Sequence, residues 1–219
     1  MTRDQVIALV LARCVRTGDT VLQTSLESEI IFVIEQKLEK SAVLPWFLLS
    51  EYLTTAATPN DERLSLPVLL DGRRFLREYE DCALWIRDTI DTDWIELIKD
   101  NYDALYTAYG SAVGKPKKYA LDGAYFYLKP TPDIAYTIRM RTYLTDLPLT
   151  SNIENSWLRE AADLVIAELG YIAASKYVRD NELAGLFVIE AQEARRRLEI
   201  FTEARDQANR NYSMGGDDN

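Results

Sequence analysis

Clustered carboxylates are the residues of this sequence that come nearest to a chemical site. Asp88, Asp91 and Asp93 lie within one short stretch, and hard cations such as calcium bind several oxygen ligands at once. The spacing does not match an EF-hand loop, because no glycine and no distal glutamate fall in register. A structural or helix-capping role is therefore the favoured interpretation of these aspartates.

A second acidic group, Glu78, Glu80 and Asp81, could supply the pair of carboxyl groups that a glycosidase places on either side of a sugar. The required separation cannot be deduced from sequence, and acidic chains contain many such neighbours. The run Gly114-Lys115-Pro116-Lys117-Lys118 lacks the spacing of a phosphate-binding loop, and no helix is predicted to follow it. Neither group predicts catalysis.

Histidine is absent from all 219 residues. Its absence removes the commonest general base, the Ser-His and Cys-His nucleophile pairs and every histidine-based metal site. The two cysteines, Cys14 and Cys82, are far apart and predict no disulfide framework. We therefore predict a protein that is not an enzyme and that has no cofactor, no metal and no catalytic residue.

The formal net charge of −10 disfavours nucleic acid as a partner, because affinity for DNA comes largely from lysine and arginine. Two basic runs, Lys115 to Lys118 and Arg195 to Arg197, are interpreted as solvated faces or partner contacts. Tyr125, Phe126 and Tyr127 cannot form one base-stacking platform, because consecutive strand residues point to opposite faces. The apolar run Val6–Ala12 is too short to span a bilayer.

Apolar residues at helical spacing predict helices toward both ends of the chain. Thr2-x-x-Gln5 is a capping box that starts the first helix, and Thr20-x-x-Gln23 repeats the motif at the second. Asp93-x-x-Glu96 is expected to cap a further helix that Gly110 ends. The predicted helical segments are residues 2–40, which hold an antiparallel pair, 93–110, 155–178 and 181–208.

The last predicted helix carries an apolar seam whose steps alternate between four and three, as a helix pair requires. Its members are Phe187, Ala191, Ala194, Leu198 and Phe201. Arg205 interrupts the seam, so tight packing is expected to end near it. Residues 209–219 are polar, contain glycine and show no period, which predicts a flexible tail in the free monomer.

Residues 44–86 and 117–144 have the alternation and turn signals of β structure. Asp122-Gly123 indicates a tight hairpin. In the following strand Tyr136, Ile138 and Met140 alternate with Thr137, Arg139 and Arg141, which gives one buried face and one wet face. The predicted fold is α+β: N-terminal and C-terminal antiparallel helix pairs pack as a bundle, and an antiparallel β-meander forms a central excursion from one domain of residues 1–208.

The order of several loose motifs between Gly114 and Leu158 resembles the head-to-tail adaptor (connector) proteins of tailed bacteriophages of the podovirus type. These motifs are Lys115-Pro116-x-x-Tyr119, Asp122-Gly123, Leu128-x-Pro130-x-Pro132-Asp133, Tyr136, Tyr143, Leu147-Pro148-Leu149 and Asn155-x-Trp157-Leu158. Residues 68 to 95 match least well, although the order of helices and strands along the rest of the chain also agrees.

The resemblance implies a structural virion protein at the head-tail junction, assembled in the host cytoplasm. Such adaptors form a ring, usually of twelve copies, that binds the portal protein and a tail nozzle or tail tube protein. Genomic DNA passes through the lumen without specific binding, and no membrane is involved. The portal-binding residues expected by analogy are Asn209, Arg210, Asn211, Tyr212, Ser213, Met214, Gly215 and Gly216, with Tyr212 and Met214 as apolar anchors.

Two other classes of function stay open at this point. Some phage adaptors resemble dual-function proteins, so the chain could carry an added peptidoglycan-degrading activity. It could also be a free-standing nucleic-acid-binding module, which a salt-sensitive gel shift would reveal.

Overall fold

The computed structural model describes residues 1–79, 84–88, 90, 92–147, 149 and 155–214, and the fold is α+β, as predicted. The helices are, in chain order, α1 (Arg3–Arg13), α2 (Thr20–Phe32), α3 (Tyr102–Tyr109), α4 (Ser156–Glu160), α5 (Ala162–Ile172) and α6 (Asn181–Met214). The strands are β1 (Leu53–Ala56), β2 (Arg63–Ser65), β3 (Phe75–Glu78), β4 (Leu84–Arg87), β5 (Ile95–Glu96), β6 (Ile98–Lys99), β7 (Lys118–Asp122), β8 (Tyr125–Lys129), β9 (Thr137–Met140) and β10 (Thr142–Leu144).

Two helices change their winding before they end. A π-helical segment, Val33–Leu38, follows α2, and a second, Ala173–Val178, follows α5. These segments carry the helical backbone close to the predicted ends at residues 40 and 178. A short 3-10 helix, Trp46–Leu48, precedes the first strand. None of the helices in the described part of the chain is both long enough and apolar enough to cross a membrane.

The chain forms two compact units. The first is helical and contains both ends, Met1–Leu48 and Thr145–Asn219. The second, Leu49–Leu144, contains the strands together with α3. The assignment of residues 1–208 to one domain, and of the helices to two antiparallel pairs in one bundle, stays a prediction.

Local hydrogen bonds explain where the first two helices begin. The amide of Gln5 donates to the Thr2 hydroxyl and the Thr2 amide donates to the Gln5 side chain, which confirms the first capping box. The second predicted box is wrong, because Asp19 caps α2 by accepting from the Leu22 amide at 3.0 Å. Asp is a stronger N-cap residue than Thr, so α2 begins at Thr20 itself.

The helix predicted over residues 93–110 is shorter than expected. It begins at Tyr102, where Asn101 accepts from the Asp103 amide at 2.8 Å, and it ends at Gly110, which has a φ of +50°. Ile95 and Ile98 lie instead in the short strands β5 and β6. Isoleucine is favoured in strands, and partners in two sheets outweigh the helical spacing of these two residues.

The strands form three sheets, and each has antiparallel neighbours except where β6 pairs in parallel with β7. The first sheet has the order β1-β9-β4-β5, the second β10-β3 and the third β2-β8-β7-β6. The hairpin predicted at Asp122-Gly123 is confirmed, since Asp122 pairs with Tyr125 and Gly123 has a φ of +58°. Glycine adopts this conformation at no steric cost because it has no Cβ atom.

The predicted three-stranded meander is wrong at its third strand. β7 and β8 pair with each other, but β9 leaves them and pairs with β1 and β4. Thr54, Arg139 and Trp85 lie in one row across this sheet. The alternation along β9 is confirmed, because Ile138 and Met140 are buried on the opposite face.

The core of the second unit is formed largely by the inward-facing residues of the first and third sheets. Phe126 and Leu128 of β8 are buried, whereas Tyr125 lies at the surface, so the prediction of opposite faces along this strand is confirmed. The buried members of this core are Ala57, Leu64, Leu84, Ile86, Leu97, Tyr119, Phe126, Leu128, Tyr136, Ile138 and Met140.

The helical unit depends on a close approach between α5 and α6. The ring of Phe187 in α6 is fully buried and lies directly over Gly170 of α5. A Cβ atom at Gly170 would come within 2.3 Å of the ring carbon Cε1, a distance that side chains do not tolerate. The guanidinium of Arg13 covers the same ring at 4.5 Å, so α1 contacts α6 at this point too.

We predict that Gly170→Ala lowers the free energy of unfolding by about 1–3 kcal/mol, because the new methyl group must displace Phe187 from a close-packed interface. The matched control is Gly185→Ala, also in a helix, where a Cβ meets no atom within 4 Å. The control should leave stability unchanged or raise it by up to about 1 kcal/mol. Urea unfolding followed by circular dichroism measures both, and equal effects would contradict the close approach.

Candidate partner-binding site

The last helix, α6, contains most of the residues predicted to bind a partner. It has 34 residues, which corresponds to about 50 Å of helix. Its backbone continues to Met214, six residues past the predicted end at Ala208, so Asn209–Met214 are helical. Gly215 and Gly216 lie outside the described residues. The flexibility of this segment and its role in binding stay predictions.

A buried carboxylate joins the middle of α6 to the rest of the helical unit. Glu168 of α5 is buried and forms ion pairs with Lys37 and with Arg195, whose Nη2 atom lies 2.8 Å from its Oε1. A buried carboxylate loses its hydration, and this cost must be offset by cations or hydrogen-bond donors. Two cations offset it here. On the surface, Arg197 pairs with Asp163 at 2.6 Å, which adds a second tie between the same helices.

The predicted apolar seam of α6 is correct up to Leu198 and wrong at Phe201. Phe187, Ala191 and Ala194 are buried, but the Phe201 side chain is 64% exposed. Thr202 is buried in place of Phe201, with only 3% of its surface exposed. The seam therefore continues from Leu198 by a step of four residues instead of the predicted three. Phe201 therefore adds a large apolar group to the surface of the helix.

The sequence suggested that Arg205 ends the packing of α6, but this prediction is wrong. Its guanidinium lies over the Trp46 ring at 3.6 Å from the centroid. Trp46 contacts Phe47 edge to face, and Phe47 contacts the buried Trp157 in the same way, with centroids 5.0 Å apart. Guanidinium groups bind well to indole faces, so the arginine continues the seam by stacking.

The network behind Trp157 contains a second buried acid, Glu39. Its Oε1 accepts a hydrogen bond from the Asp146 amide at 3.0 Å. The Asp146 carboxylate in turn accepts from the Trp157 amide and the Ser156 hydroxyl, both at 3.1 Å, at the start of α4. Burial raises the pKa of Glu39 to about 7, although the hydrogen bond from the Asp146 amide acts in the opposite direction.

Together these contacts hold α6 against the helical unit from Phe187 to Arg205. The described contacts of α6 end at Arg205, and the helix backbone runs on to Met214. A helix can bind another protein by inserting one of its faces into a groove of that protein.

The SU10 adaptor protein family model matches residues 7–216, which is nearly the whole chain. The chain belongs to the SU10 adaptor protein family. This is a family of bacteriophage head-to-tail adaptor proteins, so the resemblance found in the sequence is confirmed. A search of curated proteins finds no match.

Membership identifies the chain as a structural phage protein and a component of the virion. Adaptors of this family interact in general with portal and tail proteins. The family match runs through both units and includes α6 up to Met214 as well as two of the residues that follow it.

One residue of the acidic stretches of this SU10 adaptor, Glu78, forms a structural ion pair. Glu78 is buried, pairs with Lys99 at 2.7 Å and accepts from the Tyr119 hydroxyl at 3.4 Å. Its neighbours Glu80 and Asp81, and Asp91 of the other cluster, lie outside the described residues. Within the described ranges, no three Asp, Glu or Cys side chains converge as a metal site requires.

An open cleft of about 600 Å³ in the second unit of the adaptor was not predicted. Lys129 is buried beside it, where its ammonium donates to the Gly110 carbonyl at 2.7 Å and pairs with Glu62. Tyr102 and Tyr127 line the cleft with ring centroids 4.7 Å apart. Because its ammonium contacts both Gly110 and Glu62, Lys129 connects the hairpin of β7 and β8 to the end of α3. The alternation of residues along β8 does not predict a buried lysine at this position.

We predict that Glu39→Gln stabilises the protein at high pH and not at low pH. The pKa of Glu39 rises from 4.5 in the unfolded chain to about 7 in the fold, so ionisation costs stability progressively as pH rises between these values. The glutamine keeps an acceptor for the Asp146 amide but has no charge. The variant should gain about 1–2 kcal/mol at pH 8 and little at pH 4.5.

The measurement is urea unfolding of the variant and the wild type at several pH values from 4.5 to 8, with buffers of equal ionic strength. Glu203→Gln, at an exposed position of α6, is the control and should show no such trend. A variant whose stability difference from the wild type is the same at both ends of the range would rule out a buried, protonated Glu39.

Proposed function

We propose that this SU10 adaptor forms a homo-oligomeric ring beneath the portal, joins the capsid to the tail and forms part of the DNA conduit. Family membership supports the adaptor role, and the ring, usually of twelve copies, follows by analogy. On the tail side the partner is a nozzle or tail tube protein. DNA passes through the lumen without specific binding.

The observation that carries the proposal is the extension of the α6 backbone past Arg205, the last residue of the helix with a described contact. The helix is held by Phe187, Glu168 and Trp46 in its first 25 residues and continues to Met214. The segment 209–216 is therefore attached to a rigid helix, which presents it to the portal at small entropic cost. Tyr212 and Met214 are the apolar residues of this segment that could fill portal pockets.

The charge of the chain is compatible with a conduit. A net charge of −10 opposes tight binding of phosphates, so DNA can move through a ring of such subunits without being retained. The absence of histidine from the sequence also limits acid–base chemistry near neutral pH.

We predict that deleting residues 209–219 abolishes docking on the cognate portal while it leaves folding intact. The helical unit keeps every packing contact of α6 through Arg205, so the midpoint of thermal unfolding should shift by no more than about 2 °C. Docking is measured by co-sedimentation with purified portal rings and by electron microscopy of the complex.

Two variants sharpen this test. Deleting residues 215–219 alone removes the acidic end but keeps Tyr212 and Met214, and the double change Tyr212→Ala, Met214→Ala keeps the full length but removes the anchors. We expect the double change to weaken docking at least tenfold. Normal docking of the protein without residues 209–219 would show that the portal is bound elsewhere.

A further inference from the structure

The outer face of the first sheet carries arginines that stack on aromatic rings. Arg139 of β9 lies over the rings of Tyr52, Trp85 and Trp94, with its guanidinium 4.3, 5.3 and 4.6 Å from their centroids. Arg87 covers Trp94 at 4.7 Å, and Arg141 covers Tyr79 at 4.7 Å. We call these six side chains, namely Arg87, Arg139, Arg141, Tyr52, Trp85 and Trp94, the arginine–aromatic face.

The three arginines of this face form no ion pair with any carboxylate in the described part of the chain. The Nε atom of Arg139 is buried and makes no hydrogen bond there. An unpaired, partly desolvated cation is costly. The chain has 35 acidic and 25 basic residues, and one described carboxylate, Glu96 opposite Trp85, lies on this face without forming an ion pair with the three arginines. A binding partner that carries carboxylates would therefore find cations available on this face.

Protein fits this face better than nucleic acid does. The guanidinium groups cover the ring faces, so the rings cannot stack on bases as they do in single-strand binders. The net charge of −10 also repels a polyanion as dense as DNA. Arginine, tryptophan and tyrosine are the residues that contribute most to protein–protein binding energy.

Another surface of the same chain has the complementary composition. One face of α6, at alternating steps of four and three, consists of Glu182, Leu186, Ile189, Glu193, Arg196, Ile200 and Glu203, all exposed. Leu186, Ile189 and Ile200 are each more than half exposed. This outer stripe of α6 therefore offers three carboxylates between large aliphatic groups, and its position opposite the buried seam leaves it free for a neighbour.

The spacing of the two surfaces also agrees. Arg87 lies opposite Thr137 in the sheet, so it is four residues and one strand away from Arg141, about 14 Å. Along α6, Glu193 and Glu203 are separated by about 15 Å and Glu182 and Glu193 by about 16 Å. Two carboxylates of the stripe can thus reach two arginines of the face at the same time.

We propose that the arginine–aromatic face of one copy binds the outer stripe of α6 of the next copy. The inference rests on the proposed function, since it takes the working form to be a ring of copies. Because the two surfaces differ, the contact is heterologous, and repetition of a heterologous contact closes into a ring at the appropriate angle. The stripe supplies both the acceptors for the arginines and apolar cover for the exposed edges of the rings.

The test is self-association of the purified, full-length chain, measured by sedimentation velocity at about 20 mM and about 500 mM salt. Arg87→Glu with Arg141→Glu, and separately Glu193→Arg with Glu203→Arg, should each weaken self-association at least tenfold at low salt. The protein with all four changes restores opposite charges across the contact and should associate to within about threefold of the wild type.

The matched control is Arg63→Glu with Arg73→Glu, which makes the same charge change in the same unit at two surface arginines paired with Asp61 and Asp71. It should leave self-association within about twofold, and circular dichroism confirms that each variant is folded. A wild type that stays monomeric at about 1 mM in low salt, or a fourfold variant that is not rescued, would overturn the proposal. Loss of binding to a DNA oligonucleotide on arginine reversal, with unchanged self-association, would assign the face to nucleic acid.

Portal docking separates this inference from the proposed function. If both charge reversals dock on the portal as complete rings, the contact proposed here is wrong and the adaptor function stands. If self-association shows the reversal and rescue but the wild type never docks, the contact stands and the placement beneath the portal fails.

Discussion

The contact between the Phe187 ring and Gly170 sets the geometry of the helical unit. Because glycine has no Cβ, α6 comes close enough to α5 to bury a whole aromatic ring between them. The same approach brings Arg195, two turns after Phe187, beside Glu168, so that the apolar contact positions the ion pair. The guanidinium of Arg13 in α1 also lies over this ring. One aromatic side chain therefore brings three helices into contact.

The two buried acids of this unit are accommodated in different ways. Glu168 lies between two cations, Lys37 and Arg195, which compensate its charge directly. Glu39 is surrounded by neutral donors and by the carboxylates Asp146 and Glu35, which raise its pKa further. Burial is therefore compensated by ion pairing in the first case and by a proton in the second.

The sequence predicts which residues face inward better than it predicts which strands are neighbours. The capping box at Thr2, the turn at Gly123 and the alternation along β9 are local, and each is confirmed. The partners of β9 are β1 and β4, both more than 45 residues earlier in the chain, and no local pattern specifies them. Ile95 and Ile98 fit a helix and a strand equally well, and only the sheet partner decides.

The prediction of the partner-binding segment was also limited by what local sequence patterns can show. The composition of residues 209–219 suggested a tail without structure, but Asn209–Met214 contain neither glycine nor proline, and α6 continues through them. Gly215 is the first residue that favours a helix end. Arg205 looked like an interruption of the seam, since a charge in an apolar repeat normally ends packing. The indole of Trp46, 159 residues earlier, makes the arginine part of the packing instead.

The outward face of β9 holds an arginine whose environment differs from that of an ordinary solvated residue. An arginine that alternates with core residues indicates only that it points away from the core, and water is the usual environment on that side. Here Arg139 points away from the core but lies among three aromatic rings with its Nε buried. Such a group is not a solvated surface charge, and none of the described carboxylates pairs with it. If copies associate as proposed, the net charge of −10 opposes other approaches, and the register that brings these arginines to carboxylates is the attractive one. At physiological salt, charges interact over only about 8 Å, so this selection acts at close range, where register is decided. In the proposed contact, the arginines on one surface and the exposed carboxylates on the other specify one neighbour and one orientation, and the apolar groups on both surfaces supply the cohesion.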